Sequence, residues 1–312
     1  MESESARHTR EALLGVGMLL LSALLFAGTT VFVKLSAETA GISGRTAAFA
    51  RFLFGFAIVT AYAAIGRKSI RPKAPGMVAL RVLTNTMAVV LFFSGLELTT
   101  VTHANMLNMT YPVFVFAVAP ILNRESTPGV YYLFLTMTLV GIWLVLSPAD
   151  GLGFAGANAG DLLALASAGA AAVAISALRE ARKYDSSFLI LFHLFLFGTI
   201  ASFFVMLPGF TMPPAHAVLP LAGVAACAFG GQVTLTVGYR YISAAGGAIV
   251  SAARIVFAAV LGTLIFADPL GWKTLLGGAF ILASLFGVSG LYRRFRAWRA
   301  ARDDVSQSRS LR

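Results

Sequence analysis

The chain has 312 residues, of which 58% are hydrophobic and only 12% charged, with a mean hydropathy of +0.82. That apolar share exceeds the roughly 45–50% of soluble domains, and the charges fall in short islands, too few and too clustered to coat a soluble surface. A soluble globular protein is excluded, and the formal net charge of +11 is read against a membrane.

With about 20 apolar residues per bilayer crossing, the sequence predicts ten spans: 12–33, 45–65, 76–97, 102–122, 129–147, 160–178, 187–207, 216–238, 244–267 and 271–291. The residue alternation of a β-barrel is absent, so the expected fold is an all-α polytopic membrane protein. The first span follows the charged leader "MESESARHTRE". It is too long for a signal peptide, and no small-residue cleavage site precedes Lys34, so it is read as a retained helix. The linkers "GRKSIRPKAPG", "SPADGLGFAG" and "PGFTMPP" carry turn residues between spans.

Orientation follows from Lys and Arg. Eighteen of the 24 fall on the side of the N-terminus, including Arg67, Lys68, Arg71, Lys73, Arg179, Arg182, Lys183 and the seven arginines from Arg293 to Arg312. Only Lys34, Arg45 and Lys273 fall on the far side, while Arg51, Arg81 and Arg254 lie within spans. Both termini are therefore expected in the cytoplasm of a bacterial-type inner (plasma) membrane. The basic tail at 291–312 is expected to answer the anionic inner leaflet rather than nucleic acid. Cys227 is the one cysteine, and His8, His103, His193 and His216 never stand at metal-ligand spacing. No P-loop, H-E-x-x-H or G-x-S-x-G occurs, so neither a metal, a cofactor nor catalysis is expected.

The halves repeat each other. "FLFG" at 52–55 recurs at 195–198, "VF" at 113–114 recurs at 256–257, and Glu125 is matched by Asp268, all at an offset of 143. Ten spans at one offset give five per copy. Five is odd, so the copies enter the membrane from opposite sides, the inverted-repeat pattern of secondary transporters with a substrate site near the midplane.

Three stretches then point to a family: "AFARFLFGFAIVTAYAA", "LRVLTNTMAVVLFFSGLELTTVTHANMLNMTYPVFVFAVAPILNRES" and "GDLLALASAGAAAVAISALREARKYDSS". They resemble the drug/metabolite transporter superfamily, EamA type. The resemblance divides the chain into a tail at 1–10, one five-helix repeat at 11–147, a second at 154–290 and the tail beyond. It implies a cavity lined by helices 1, 3, 4, 6, 8 and 9 and movement of small metabolites without ATP. The second copy reads "SAARIVF" where the first reads "MTYPVF", so the proline is lost.

Polar residues inside the spans are the candidate site. Pro112 predicts a kink in the fourth span, and with Asn105 and Asn108 it shares one helical face, Tyr111 being adjacent. Arg254 lies near the bilayer centre, the counterpart of Tyr111 in the other copy, with Gly247 and Ser251 on its face. A charge there is costly enough to demand a role. Arg81 with Asn85, and Gln232 with Thr236, form further pairs one turn apart. His193 is the candidate for proton coupling, because histidine is the side-chain type whose unperturbed pKa lies near physiological pH. No Asp or Glu lies at mid-depth. The expected activity is transport of a small zwitterionic or anionic metabolite, amino-acid-like and exported, by alternating access in a monomer or homodimer. Alternatives are import of a nucleotide-like or phosphate-bearing compound, and a non-transporting membrane scaffold or enzyme.

Overall fold

The computed structural model describes residues 4–67, 69–96, 98–99, 101–146, 158–267 and 270–288. Their helices are α1 (Glu4–Ala40), α2 (Gly44–Gly66), α3 (Pro75–Leu96), α4 (Val101–Asn108), α5 (Tyr111–Leu122), α6 (Val130–Leu146), α7 (Ala159–Ala181), α8 (Ser187–Met206), α9 (Val218–Gly238), α10 (Ala244–Ser251), α11 (Ala253–Phe266) and α12 (Trp272–Val288). Eight segments, counting α4 with α5 and α10 with α11, are long and apolar enough to cross a bilayer. α6 and α12 are shorter apolar helices of 17 residues, close to the minimum for a span. The described residues thus supply ten crossings. The basic tail at 291–312 and, of the predicted far-side loop at 148–159, residues 148–157 lie outside them.

The sequence offset of 143 is also a spatial symmetry. α3 runs along α7 as α9 runs along α1, and α5 meets α7 as α11 meets α1. α2 packs on α8, and α6 on α12, so each helix of these two pairs faces its own counterpart across a pseudo-two-fold axis. The repeated "FLFG" shows why. A Cβ added at Gly55 would stand 2.3 Å from the Phe195 ring, and one added at Gly198 would stand 2.4 Å from the Phe52 ring. Each phenylalanine therefore fills the space left by the other copy's glycine, and the two rings meet edge-on at 6.3 Å. Across the other on-axis pair, Thr138 and Ser284 share a 2.7 Å hydrogen bond, which satisfies two hydroxyls that lipid could not.

Local signals repeat as well. Ser43 and Ser186, one offset apart, both cap helix N-termini by accepting from the backbone three residues on. Arg124 and Ala267, again one offset apart, both leave their spans in the left-handed conformation, with φ of 52° and 57°. The alanine-rich α7 is the most buried span, and a Cβ at its Gly160 would lie 2.8 Å from the Gly95 carbonyl of α3. Small residues there let two backbones touch. Large apolar side chains such as Ile65, Ile121 and Leu219 are turned outward, as a lipid-facing surface requires.

Candidate functional site

Both pseudosymmetric spans are broken at the same depth. In the first copy α4 ends at Asn108 and α5 starts at Tyr111, and in the second α10 and α11 join at Ala252, the counterpart of Met109. Pro112 falls in the first turn of α5, where its missing N–H leaves no partner unsatisfied. The kink expected at Pro112 is in fact a full interruption, bridged by tight bonds such as Thr110 N to Leu107 O at 3.1 Å and Val113 N to Thr110 O at 2.9 Å. Asn105 and Asn108 still stand one turn apart on α4, while Pro112 belongs to α5 beyond the break. The second break has no proline. It is made by 3₁₀-type bonds, Ala252 N to Ile249 O at 3.1 Å and Ile255 N to Ala252 O at 3.0 Å. Met109 and Ala252 pack together with Ile142, Ile255 and Ile281, so the two breaks meet and are clamped between α6 and α12.

Around this crossing the predicted polar residues divide. Arg254 Nη2 donates to the Met109 thioether at 2.9 Å, reaching across the pseudo-two-fold axis to the opposite break. Tyr111 makes the reverse crossing, its hydroxyl donating to the Ala248 carbonyl at 3.3 Å. Ser251 Oγ is buried beside them and completes no hydrogen bond with the protein. Asn108 Nδ2 donates to Ser167 Oγ of α7 at 2.8 Å, so this side chain ties the first break to the sixth span. Asn105 is half-buried on α4. Arg81 does not reach the interface as its position near a span end would allow: it is 2% exposed, and its Nε has no protein partner. Asn85, one turn further along α3, is half-buried. Gln232 is 6% exposed with its Oε1 unpartnered, while Thr236 donates to the Gln232 carbonyl at 2.7 Å. His193 Nδ1 lies 3.0 Å from the Leu189 carbonyl one turn back on α8, and its ring meets Phe192 edge-on.

Tyr239 was not singled out by sequence and is central. It is fully buried, its hydroxyl completes no hydrogen bond, and its ring occupies the space beside Gly247, where a Cβ would come within 2.4 Å. Gly247 therefore does not open a polar wall, as its sharing a face with Ser251 and Arg254 suggested; it makes room for Tyr239. Tyr239 neighbours Tyr111, Ser251 and Arg81, which links the α3 arginine to the crossing. A faint signal existed, since Tyr239 stands two turns after Gln232 on the same face.

The side of the molecule carrying the N-terminus is tied shut. Glu125 accepts from Arg179 Nε at 2.7 Å and from the Ala244 amide at 3.0 Å, so its carboxylate also caps α10. Arg179 Nη1 donates to the carbonyls of Tyr239 and Arg240 at 3.1 and 2.8 Å. Arg182 Nε reaches the Thr236 carbonyl at 3.0 Å, and Asp185 accepts from the Lys73 and Ala74 amides at 2.7 and 2.9 Å ahead of α3. Burial, and then the nearby Arg240 charge, lower the Arg182 pKa, against the opposing effects of Tyr241 and Asp185. On the opposite face a narrow crevice, with room for little more than a water molecule, lies between α2, α3 and α8, lined by Arg45, Phe52, Thr86 and Ser202 among others. The described residues hold no group of three or more His, Cys, Asp or Glu that could bind a metal.

Half-helices from inverted repeats that meet at the centre of a ten-span bundle define the secondary-transporter class of membrane fold. A solved crystal structure superposes on the chain with a TM-score of 0.73 at 17% identity, over 91% of this chain and 99% of that one, which is a likeness of fold. The EamA-like transporter family matches residues 13–147 and again 158–290, one match per repeat, and the chain belongs to that family. Among its relatives, an uncharacterized transporter of Helicobacter pylori strain J99 is 26% identical over 287 residues, 87% of this chain and 93% of that one. An uncharacterized transporter of Archaeoglobus fulgidus is 27% identical over 281 residues, 87% and 94%. Solute carrier family 35 member G1 of Homo sapiens is 26% identical over 291 residues, 88% and 79%. These place the chain with transporters of the drug/metabolite superfamily.

Proposed function

We propose that this transporter moves a small zwitterionic or anionic metabolite, amino-acid-like and outward from the cytoplasm, by alternating access around the paired helix breaks. The inner (plasma) membrane is the proposed location, with both termini and the Glu125–Arg179 tie on the cytoplasmic side. One observation carries the reading: Arg254 stands at the break in the ninth span, and its hydrogen bond in the described structure is to a thioether. A guanidinium in that setting attracts a carboxylate and repels a lipophilic cation. Exporters of such cations need an intramembrane carboxylate, and no Asp or Glu lies mid-span in this sequence. Tyr111 and Ser251 supply neutral hydrogen-bonding groups beside the break, and Gln232 and Asn85 offer further ones on α9 and α3. The hydrogen bonds around Glu125 support a resting state that is closed toward the cytoplasm.

Counterflow in proteoliposomes tests the reading. Amino acids should exchange while a cationic dye does not. Arg254→Ala should weaken substrate binding by about 1.5–3 kcal/mol, the worth of a charge-assisted hydrogen bond, and Arg254→Lys should restore part of it. Dye transport by the wild type, or normal amino-acid flux through Arg254→Ala, would overturn it.

A further inference from the structure

Arg254 is one of three arginines inside the bilayer, and none of the three has an anionic partner among the described residues. Arg51 stands seven residues into α2 from the face opposite the N-terminus, and Arg81 six residues into α3 from the N-terminal face. Arg254 lies at the break between them. At about 1.5 Å per residue, Arg51 and Arg81 each lie about 10 Å inside their own face of the membrane, with Arg254 at mid-depth. Successive arginines are thus about 5 Å apart along the membrane normal, close to one helical turn. Laterally they are linked. Tyr239 packs at Gly247 and Tyr111 donates to the Ala248 carbonyl, which seats both tyrosines on the half-helix that leads to Arg254, and the charges of Arg81 and Arg51 are felt at Tyr239 and Arg254 respectively.

Each guanidinium carries five N–H donors and no acceptor. Among the described residues, Arg254 donates to the Met109 thioether, Arg51 packs over the Phe52 ring at 4.6 Å, and Arg81 makes no hydrogen bond. No carboxylate or carbonyl meets any of the three. Arg81 is buried and Arg51 and Arg254 are half-buried; cations at membrane depth are held by paired anions or by carbonyl oxygens, and a structural arginine would show one or the other. Tyr239 OH, Ser251 Oγ and Gln232 Oε1 are likewise buried and complete no hydrogen bond among the described residues. A zwitterion or monoanion would leave most of this positive charge uncompensated.

We propose that the transported solute carries two anionic groups, one held by Arg254 throughout and the other passed from Arg81 to Arg51 as access alternates from the cytoplasmic to the outer side. The chemical class is a short dicarboxylate or a small phosphate-bearing acid, whose anionic groups can bridge neighbouring levels of the ladder. The proposal rests on the reading of Arg254 as a substrate-binding residue and narrows it.

The test is equilibrium binding to purified full-length protein in phosphatidylcholine nanodiscs, with glutarate, glycerol phosphate, butyrate and glycine as probes. Glutarate or glycerol phosphate should bind at least about tenfold more tightly than butyrate. Arg51→Gln and Arg81→Gln should each weaken the dianion by about 10- to 100-fold and leave butyrate within about twofold. Arg81→Lys, which keeps the charge, should recover part of the loss and guards against misfolding of the glutamine variant. Tighter glutarate than glycerol phosphate assigns the dicarboxylate, and the reverse order the phosphate; either supports the ladder. Equal affinity for mono- and dianions, or wild-type dianion binding by both glutamine variants, overturns it. If butyrate and glycine still bind through Arg254, only the ladder falls. If none of the four probes binds, the anion-transport reading falls with it.

Discussion

Replacing Glu125 by glutamine should open the cytoplasmic side. The carboxylate accepts one hydrogen bond from Arg179 at 2.7 Å and one from the Ala244 amide at 3.0 Å, with the two side chains of the ion pair 18% and 20% exposed. It thereby joins the end of the fourth span and α7 to the start of α10, while Arg179 extends the tie to the end of α9. Glutamine keeps the shape and can still accept from one donor but removes the charge. Charge-assisted hydrogen bonds are worth about 1.5–3 kcal/mol and neutral ones about 1, so the closed state should lose about 1–2 kcal/mol. That makes the open state about 5- to 30-fold more populated. The assay places a cysteine at Ala248, fully buried one turn inside the tie, on a Cys227→Ser background. Impermeant maleimide is applied to the cytoplasmic face of inside-out vesicles. Labelling should accelerate by the same 5- to 30-fold. Glu180→Gln is the control: its ion pair with Lys183 is local to the end of α7 and its contact with the fourth span is a long 3.4 Å bond from Asn123 that glutamine can still accept, so labelling should stay within about twofold of wild type. Unchanged labelling in Glu125→Gln, or an equal rise in the control, would refute the assignment of Glu125 as the closing contact.

Three further outcomes are expected. Gly55→Ala should overpack the Phe195 ring, lowering stability by about 1–3 kcal/mol, and adding Phe195→Leu should restore part of the melting temperature; an additive double mutant would contradict the contact. Single cysteines at Ser69 and Asn158, again without Cys227, should label from opposite faces of the membrane, and labelling from one face would contradict the inverted arrangement. If transport is proton-coupled through His193, His193→Gln should flatten its pH dependence across the range where imidazole titrates, whereas an unchanged profile assigns the ring to its hydrogen bond with Leu189.

Much of the architecture could be read before any coordinates. Span lengths follow from hydropathy because lipid leaves helices little choice, and the 143-residue offset survives in "FLFG" because those residues pack on the symmetry axis and constrain each other. Arg254 was recognisable because a charge at that depth needs a reason. The first helix break was flagged by Pro112, but the second carries no breaker residue. Ala252 turns the chain only because it is clamped against Met109, a contact that no local pattern encodes. Tyr239 stayed hidden for a similar reason. Its role depends on the hole at Gly247 and on Arg81, neither of them near it in the pattern of one span. Arg81 looked able to extend to the interface by sequence position, and only its three-dimensional surroundings show it buried.

The exchange of Phe52 for Gly198 and of Phe195 for Gly55 has a consequence for how such a chain arises. Knob and hole are the same two positions in both halves, so the surface is self-complementary, as in the isologous interface of a symmetric dimer. A single five-helix chain bearing this motif would recognise a second copy of itself, provided that copy inserted upside down. The fused polypeptide then holds an interface that needed no invention at the moment of fusion. Co-expressed as separate chains, residues 1–150 and 151–312 should still find each other, and filling one hole should be relieved by trimming the knob from the opposite half.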